Sequence, residues 1–312
     1  MRNIEMTAAA DDGLPLAGTL TLPEGTGPHP AVVLLHGSGR LDRDGNTAKV
    51  RMELGPPLAA ALAAEGIATF RYDRRGVAAT PGDWTATGFA DNQADAAATI
   101  RALAAHPEIR PDALGVVGHS EGAVHAMTLG SHPRVKAVVL LAGFAGRGDD
   151  ALRWQGRQIA GGLPAPLRSL LRSVGNRHIA RMKRTRTDVV RVAGVRMNAR
   201  WSREMFLHDS RPDLSAIRVP TLAITGAKDI QVDPADLDEM RRLVPGEIET
   251  HRLPDLTHLL RRDPGRPSLR TYRRLLRAPV DAELLAQVSG WLAPRLREAG
   301  PRLQAVEQTG TA

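Results

Sequence analysis

Three side chains far apart in the sequence have the chemistry to break an acyl bond together: Ser120, Asp229 and His258. A serine hydroxyl attacks a carbonyl only if a base takes its proton, and histidine titrates in the right range to do so. The histidine in turn needs a carboxylate to fix its tautomer and stabilise the imidazolium. Ser120 sits in Gly118-His119-Ser120-Glu121-Gly122, between a short β-branched apolar run and a small-residue helical pattern. That reads as strand, tight turn, helix, with the glycines keeping the turn free of Cβ atoms and the hydroxyl left at its tip. The N–H groups of Ser120 and Glu121 then fall at a helix N-terminus, where donors lack partners and negative charge is favoured. A Gly-x-Ser-x-Gly match is short and arises by chance, so its weight rests on what surrounds it.

A second donor for an oxyanion is needed. His36-Gly37-Ser38-Gly39 follows an apolar run, and its small residues allow backbone to approach a substrate, so the Ser38 N–H pairs naturally with that of Glu121. Each candidate has rivals. Asp255 lies three residues before His258 and is expected to shape that loop, while Asp233 precedes Pro234 at a helix start and reads as a cap. His36 and His119 stand beside glycines and read as loop hydrogen-bonding groups; His125 reads as a helix residue. Asp42, Asp44, Asn46 and Glu53 fall at positions one, three, five and twelve of a calcium-loop pattern, but Thr47 occupies the glycine position and no helix precedes. Asp42, Arg43 and Asp44 are expected to brace the oxyanion loop instead, and neither a metal nor a cofactor is expected.

The elements that must carry these groups follow from periodicity. Residues 4–10 and 16–22 alternate around 11–13, as in a β-hairpin. Residues 31–35, 114–119 and 135–142 are apolar runs suited to strands buried on both faces, and 67–72, 219–225 and 247–253 read as further strands. Helical patterns at 52–65, 88–106 and 234–243 alternate with them, which predicts a doubly wound, mostly parallel α/β sheet. A final helix at 281–293 is expected to end or kink at Pro294. Ser120, Asp229, His258 and the 36–39 loop all follow strands, so all gather at one sheet edge.

Residues 143–212 break the pattern. They carry fourteen arginines, one lysine and five acids, lack a buried strand, and suggest amphipathic helices at 167–174 and 189–206. An insertion there reads as a helical lid, with Trp154, Met197, Trp201, Met205 and Phe206 as its apolar residues. The hydrolytic core is then 1–142 and 213–299, and 300–312 is expected to be a disordered tail.

Composition narrows the class. Of 312 residues 42% are apolar, 3% aromatic and none cysteine, which excludes disulfides and thiol chemistry and leaves a core of Ala, Val, Leu and Ile. Residues 1–11 show no secretory leader and no run is long enough to span a membrane, so a cytoplasmic location is expected. The net charge of +8 raises nucleic acid as a partner, yet no nucleic-acid module is visible and a basic solvated surface is the simpler reading.

The segments HGSG (36–39), YDRRG (72–76), GHSEG (118–122), GAKD (226–229) and DLTH (255–258) together resemble the α/β-hydrolase superfamily over nearly the whole chain outside the insertion. The stretch GSGRLDRDGN (37–46) is similar to a bacterial esterase-like or serine-peptidase-like subgroup. The resemblance implies Ser120 as nucleophile, Asp229 as acid, His258 as base, and Ser38 with Glu121 at the oxyanion positions. One departure stands out: the family usually has glycine and serine where Ala78 or Ala79 and Thr80 stand. The expected activity is hydrolysis of a carboxylic ester, or of a thioester or lactone. The alternatives are a short-peptide hydrolase of aminopeptidase type and a non-catalytic basic binding protein on the same scaffold.

Overall fold

The computed structural model describes residues 1–192 and 194–298; the expected tail at 300–312 lies outside them. The chain opens with the hairpin β1 (Arg2–Ala9) and β2 (Pro15–Leu22), then β3 (His29–Leu35), α1 (Gly55–Ala64), β4 (Ala68–Tyr72), α2 (Phe89–Ala104), β5 (Ile109–His119), α3 (Glu121–Leu129) and β6 (Val135–Leu141). After β6 come α4 (Gly148–Ala160), α5 (Ala165–Arg184), the small hairpin β7 (Val189–Val192) and β8 (Val195–Asn198), and α6 (Ala199–Leu207). The chain then returns through α7 (Arg211–Ala216), β9 (Thr221–Gly226), α8 (Asp236–Leu243), β10 (Ile248–Leu253), α9 (Tyr272–Leu275) and α10 (Ala282–Arg297).

Eight strands form one sheet in the order β1-β2-β4-β3-β5-β6-β9-β10. The β1/β2 and β2/β4 pairs are antiparallel and the rest are parallel. Successive residues of a strand face opposite sides, and both sides are buried in the central strands, while the edge strands β1 and β10 are partly exposed. Val33 and Leu35 of β3 join Phe70, Leu103, Met127 and Leu140 in one core, while Val32 and Leu34 join Leu58, Val117, Val139 and Leu292 in the other. The doubly wound α/β architecture is therefore as expected. Order non-consecutive in sequence carries β3, β5, β9 and β10 side by side or one strand removed, and their carboxyl ends open onto a common edge.

Two expectations are corrected. A helix over 189–206 is replaced in its first half by the β7/β8 hairpin, with Val189 paired to Asn198 and Val192 to Val195. Three of the four residues of β7 are valine, and a β-branched side chain loses more χ1 freedom in a helix than in a strand. Only α6 remains helical, started by Asn198, whose side chain accepts from the Trp201 N–H. Of the two outcomes expected at Pro294, an end to the helix is the one corrected: α10 runs through it to Arg297. Proline removes one helical hydrogen bond, but the turn beyond it places Leu296, fully buried, against the sheet. Burial of a leucine, worth about 2 kcal/mol, offsets part of that loss, which is about 3 kcal/mol. α4 and α9 were not evident from periodicity, and α5 is far longer than the 167–174 pattern.

No helix among the described residues is long and apolar enough to cross a membrane. The Pro294 argument is testable: Leu296→Ala should lower unfolding free energy by about 2–5 kcal/mol in a denaturant titration. A change below about 0.5 kcal/mol would mean that the final turn is not held by its leucine.

Candidate active site

The turn between β5 and α3 is set by close backbone approach. A Cβ on Gly118 would lie 2.1 Å from the Gly122 carbonyl oxygen, and one on Gly122 would lie 2.1 Å from that of Leu35. No side chain fits at either place, so the strand turns sharply and α3 starts against β3. Between the two glycines Ser120 takes φ 57° and ψ −120°, a conformation that ordinary residues avoid. Two hydrogen bonds hold it there: the Ser120 N–H donates to the Leu141 carbonyl, and the Ala123 N–H donates to the Ser120 carbonyl, each at 2.9 Å. The Ser120 N–H is thus already used, which corrects the expectation that it stays free. The Glu121 N–H, at the first position of α3, has no intrahelical acceptor.

The three separated residues meet at this turn. His258 Nε2 lies 3.1 Å from Ser120 Oγ, and His258 Nδ1–H donates to Asp229 Oδ2 at 2.8 Å. The other carboxylate oxygen, Oδ1, accepts from the N–H groups of Gln231 and Val232 at 2.7 and 3.0 Å, so the acid is fixed at both oxygens. Asp229 and His258 are both buried. The loops that carry them lock together. A Cβ on Gly226 would lie 2.0 Å from the Leu256 carbonyl oxygen, and Lys228 Nζ donates to the carbonyls of Asp263 and Gly265 and pairs with Asp255 at 2.7 Å. Arg261, buried, donates to the carbonyls of Leu259, Ala278 and Met52 and so ties the base loop to the rest of the chain.

The rival groups are engaged elsewhere. Asp255 faces Lys228 and is about half exposed, while Asp233 accepts from the Ala235 N–H ahead of α8. His36 meets the Arg43 carbonyl through Nε2, and burial pushes its pKa down to about 4. His125 donates from Nε2 to Glu121 Oε1 at 3.1 Å. His119 has a part that its neighbourhood in the sequence did not disclose: its Nε2–H donates to the His258 carbonyl at 2.9 Å. Burial, and next the nearby His258, press its pKa down to about 3, so it stays neutral and positions the backbone of the base.

The 36–39 loop reaches the serine from β3. A Cβ on Gly37 would lie 3.1 Å from that of Ser120, which puts the Gly37–Ser38 backbone beside the nucleophile candidate. The calcium-like side chains face inward on this loop. Asp42 Oδ1 accepts from the N–H groups of Asp44 and Asn46, Asn46 Oδ1 accepts from that of Glu53, and Asp44 pairs with Arg71. Arg43 grips Asp73 at 2.8 Å. At the departure from the family pattern, Ala78 takes φ 44° where glycine would be unstrained, and Thr80 Oγ1 donates to the Asp73 carbonyl while accepting from the Ala17 N–H.

Glu121 does more than supply an N–H. Its carboxylate is fully buried and its Oε1 accepts from Arg74 at 3.1 Å, from His125 and from Trp201 Nε1 at 3.2 Å. The same Arg74 donates to the His36 carbonyl at 2.6 Å, joining the two strand-end turns that hold the proposed oxyanion donors. Arg74 lies within YDRRG, but nothing in that segment announces a partner forty-seven residues on. Trp201 brings α6 of the inserted segment to the site. With Met205 it packs on Phe89, Val124, Ala142, Phe144 and Val232. α6 is fastened there by Asn198, which donates to the carbonyls of Trp84 and Thr87, and by Glu204, which accepts from the Ala90 N–H. Phe206 turns away into a separate cluster with Ile179, Met182 and Ala199.

Burial opposes ionisation of Glu121, but Arg74 and then His125 outweigh it and hold the pKa at about 2, against an ordinary 4.5. A carboxyl whose pKa is depressed in the folded state stabilises the fold above its ordinary pKa and ceases to as pH falls through the folded value. That contribution should fade from about pH 4.5 to about pH 2. Arg74→Leu should cost about 3–5 kcal/mol in urea unfolding at pH 7, because it strands a buried carboxylate. Adding Glu121→Gln should recover a large part of the loss. A double variant no more stable than Arg74→Leu would show that the charge is not what matters.

A family model described as serine aminopeptidase, S33, matches residues 28–265. Esterase EstD of Thermotoga maritima is 25% identical over 290 residues, covering 90% of this chain and 66% of that protein. Among solved structures, an esterase of Pyrococcus furiosus superposes with a TM-score of 0.60 at 17% identity, covering 95% of this chain and 91% of its own. Est1E of Butyrivibrio proteoclasticus, with ferulic acid bound, gives 0.63 at 15% identity over 94% and 100%. At such identities these two likenesses speak for the fold alone, and the fold is that of the α/β hydrolases. With most of its length matched by the family model, the chain belongs to the serine aminopeptidase S33 family of α/β hydrolases.

Proposed function

We propose that this protein is a serine hydrolase that cleaves carboxylic esters through an acyl-enzyme. The observation that carries the reading is the unbroken relay from Ser120 Oγ to His258 to Asp229, with the acid fixed at both oxygens. His258 Nε2 takes the hydroxyl proton as Ser120 Oγ bonds to the ester carbonyl carbon. The carbonyl electrons move onto oxygen, where the N–H groups of Ser38 and Glu121 stabilise the charge. Collapse expels the alcohol, which leaves with the proton from His258. Water, deprotonated by the same His258, then attacks the acyl-enzyme and releases the acid. Asp229 keeps the Nδ1–H in place throughout and offsets the imidazolium charge.

An ester is favoured by the apolar character of the packing around α3, where Trp201 and Met205 close as a wall over the buried cluster of Phe89, Val124, Phe144 and Val232, and by the similar Thermotoga maritima protein, which is named an esterase. Residues 143–212 act as a lid in this reading, since α6 leans on that wall and reaches Glu121 through Trp201.

The test is a panel of p-nitrophenyl esters of rising acyl length, with a peptide p-nitroanilide and an acyl-coenzyme A beside them. Ester cleavage is expected, and preference for the peptide over every ester would replace it with a peptidase reading. Ser120→Ala should abolish turnover. Asp229→Asn should lower kcat by on the order of 10⁴, as wrong-tautomer variants of such triads do. Asp255→Asn, removing a group that faces Lys228, should change it little. Reversal of the last two effects would overturn the assignment of the acid.

A further inference from the structure

The inserted segment carries a surface that the hydrolytic reading does not use. Residues 151–187 contain eight arginines, one lysine and no acid. Seven of them, Arg157, Arg168, Arg172, Arg177, Arg181, Arg184 and Arg186, make no ion pair among the described residues. Elsewhere in the insertion most arginines are matched, as Arg200 is by Asp91 and Glu204, and Arg211 by Asp209.

The same helix shows apolar side chains to solvent. Leu167, Leu170, Leu171 and Val174 of α5 are 41%, 56%, 46% and 50% exposed. Their spacing of i, i+3, i+4, i+7 confines them to about 100° of arc on one face. Arg168 and Arg172 flank that stripe on one edge, and Arg177 and Arg184 on the other. Ile159, at the end of α4, is 44% exposed as well. The C-terminal half of α5 is anchored through Ile179 and Met182, while Arg168, Leu171 and Arg172 of its N-terminal half line an open cavity shared with α4. A single exposed leucine is ordinary; an ordered stripe between unpaired cations is not.

From this pattern we infer that α5 docks the protein onto an anionic lipid bilayer surface. The apolar stripe enters the boundary between headgroups and acyl chains, and the flanking guanidinium groups meet lipid phosphates. Charge decides between the possible occupants. A second copy of this chain would bring its own nine cations and no acids to the contact, whereas an anionic leaflet offers negative charge at every site. Docking is separate from hydrolysis, because the stripe and its arginines lie outside the Ser120, His258 and Asp229 cluster.

The test is flotation of the full chain with vesicles of phosphatidylcholine alone and of phosphatidylcholine with phosphatidylglycerol. Partition onto the anionic vesicles is expected to exceed that onto the neutral ones by about tenfold or more, and to fall as salt rises toward 0.5 M. The triple variants Leu167→Ser, Leu170→Ser, Leu171→Ser and Arg168→Gln, Arg172→Gln, Arg177→Gln should each lose about tenfold in partition. All six side chains are exposed, so both variants should fold and hydrolyse a short soluble ester at the parent rate. Equal partition onto both vesicles, no partition, or partition unchanged in both variants would overturn the inference. So would self-association abolished by the leucine variant, or DNA binding abolished by the arginine variant, with no vesicle binding in either case.

Discussion

One backbone conformation underlies the site. Ser120 at φ 57° and ψ −120° is disfavoured by about 1–3 kcal/mol, and it persists because its surroundings leave it no alternative. Gly118 lies against Gly122, Gly122 lies against β3, and the peptide groups of Ser120 are taken by Leu141 and Ala123. What the strain produces is direction. The hydroxyl is lifted off the sheet edge toward His258, and the next N–H, that of Glu121, is left without a helical acceptor. A relaxed serine at the same point in the sequence would join β5 to α3 without presenting either group.

Charged side chains turn that local geometry into a shared frame. Arg74 holds the His36 carbonyl and the Glu121 carboxylate together, Arg43 holds Asp73, and Lys228, half-buried, holds the acid loop to the base loop. The buried Arg74 tie is costly to desolvate and therefore selective for the one arrangement that satisfies it. Trp201 adds a contact from the insertion to Glu121, so the segment that covers the apolar wall also touches the residue after the serine. The insertion and the turn that carries Ser120 are thereby joined through one side-chain hydrogen bond.

The sheet and the site loops were readable from sequence for physical reasons. Strands buried on both faces leave apolar runs, as before Ser120 and Asp229, and a group that follows a strand must lie at the sheet edge; His258 was placed there although its strand, β10, is largely polar. What escaped was long-range or context-dependent. Arg74 and His119 owe their parts to partners distant in the chain, and no local pattern encodes them. The β7/β8 hairpin was hidden because its valines also fit a helical stripe, and Pro294 misled because its helix continues for the sake of a buried Leu296. The Ser120 N–H looked free at a helix start, yet β6 runs close enough for Leu141 to claim it.

The central claim is that Ser120 is a nucleophile activated by His258. The direct measurement is reaction with an alkyl fluorophosphonate, read by intact mass and by peptide mapping. One adduct per chain on Ser120 is expected, forming far more slowly in His258→Ala. An adduct on another residue, or labelling of Ser120 at the same rate without His258, would contradict the account.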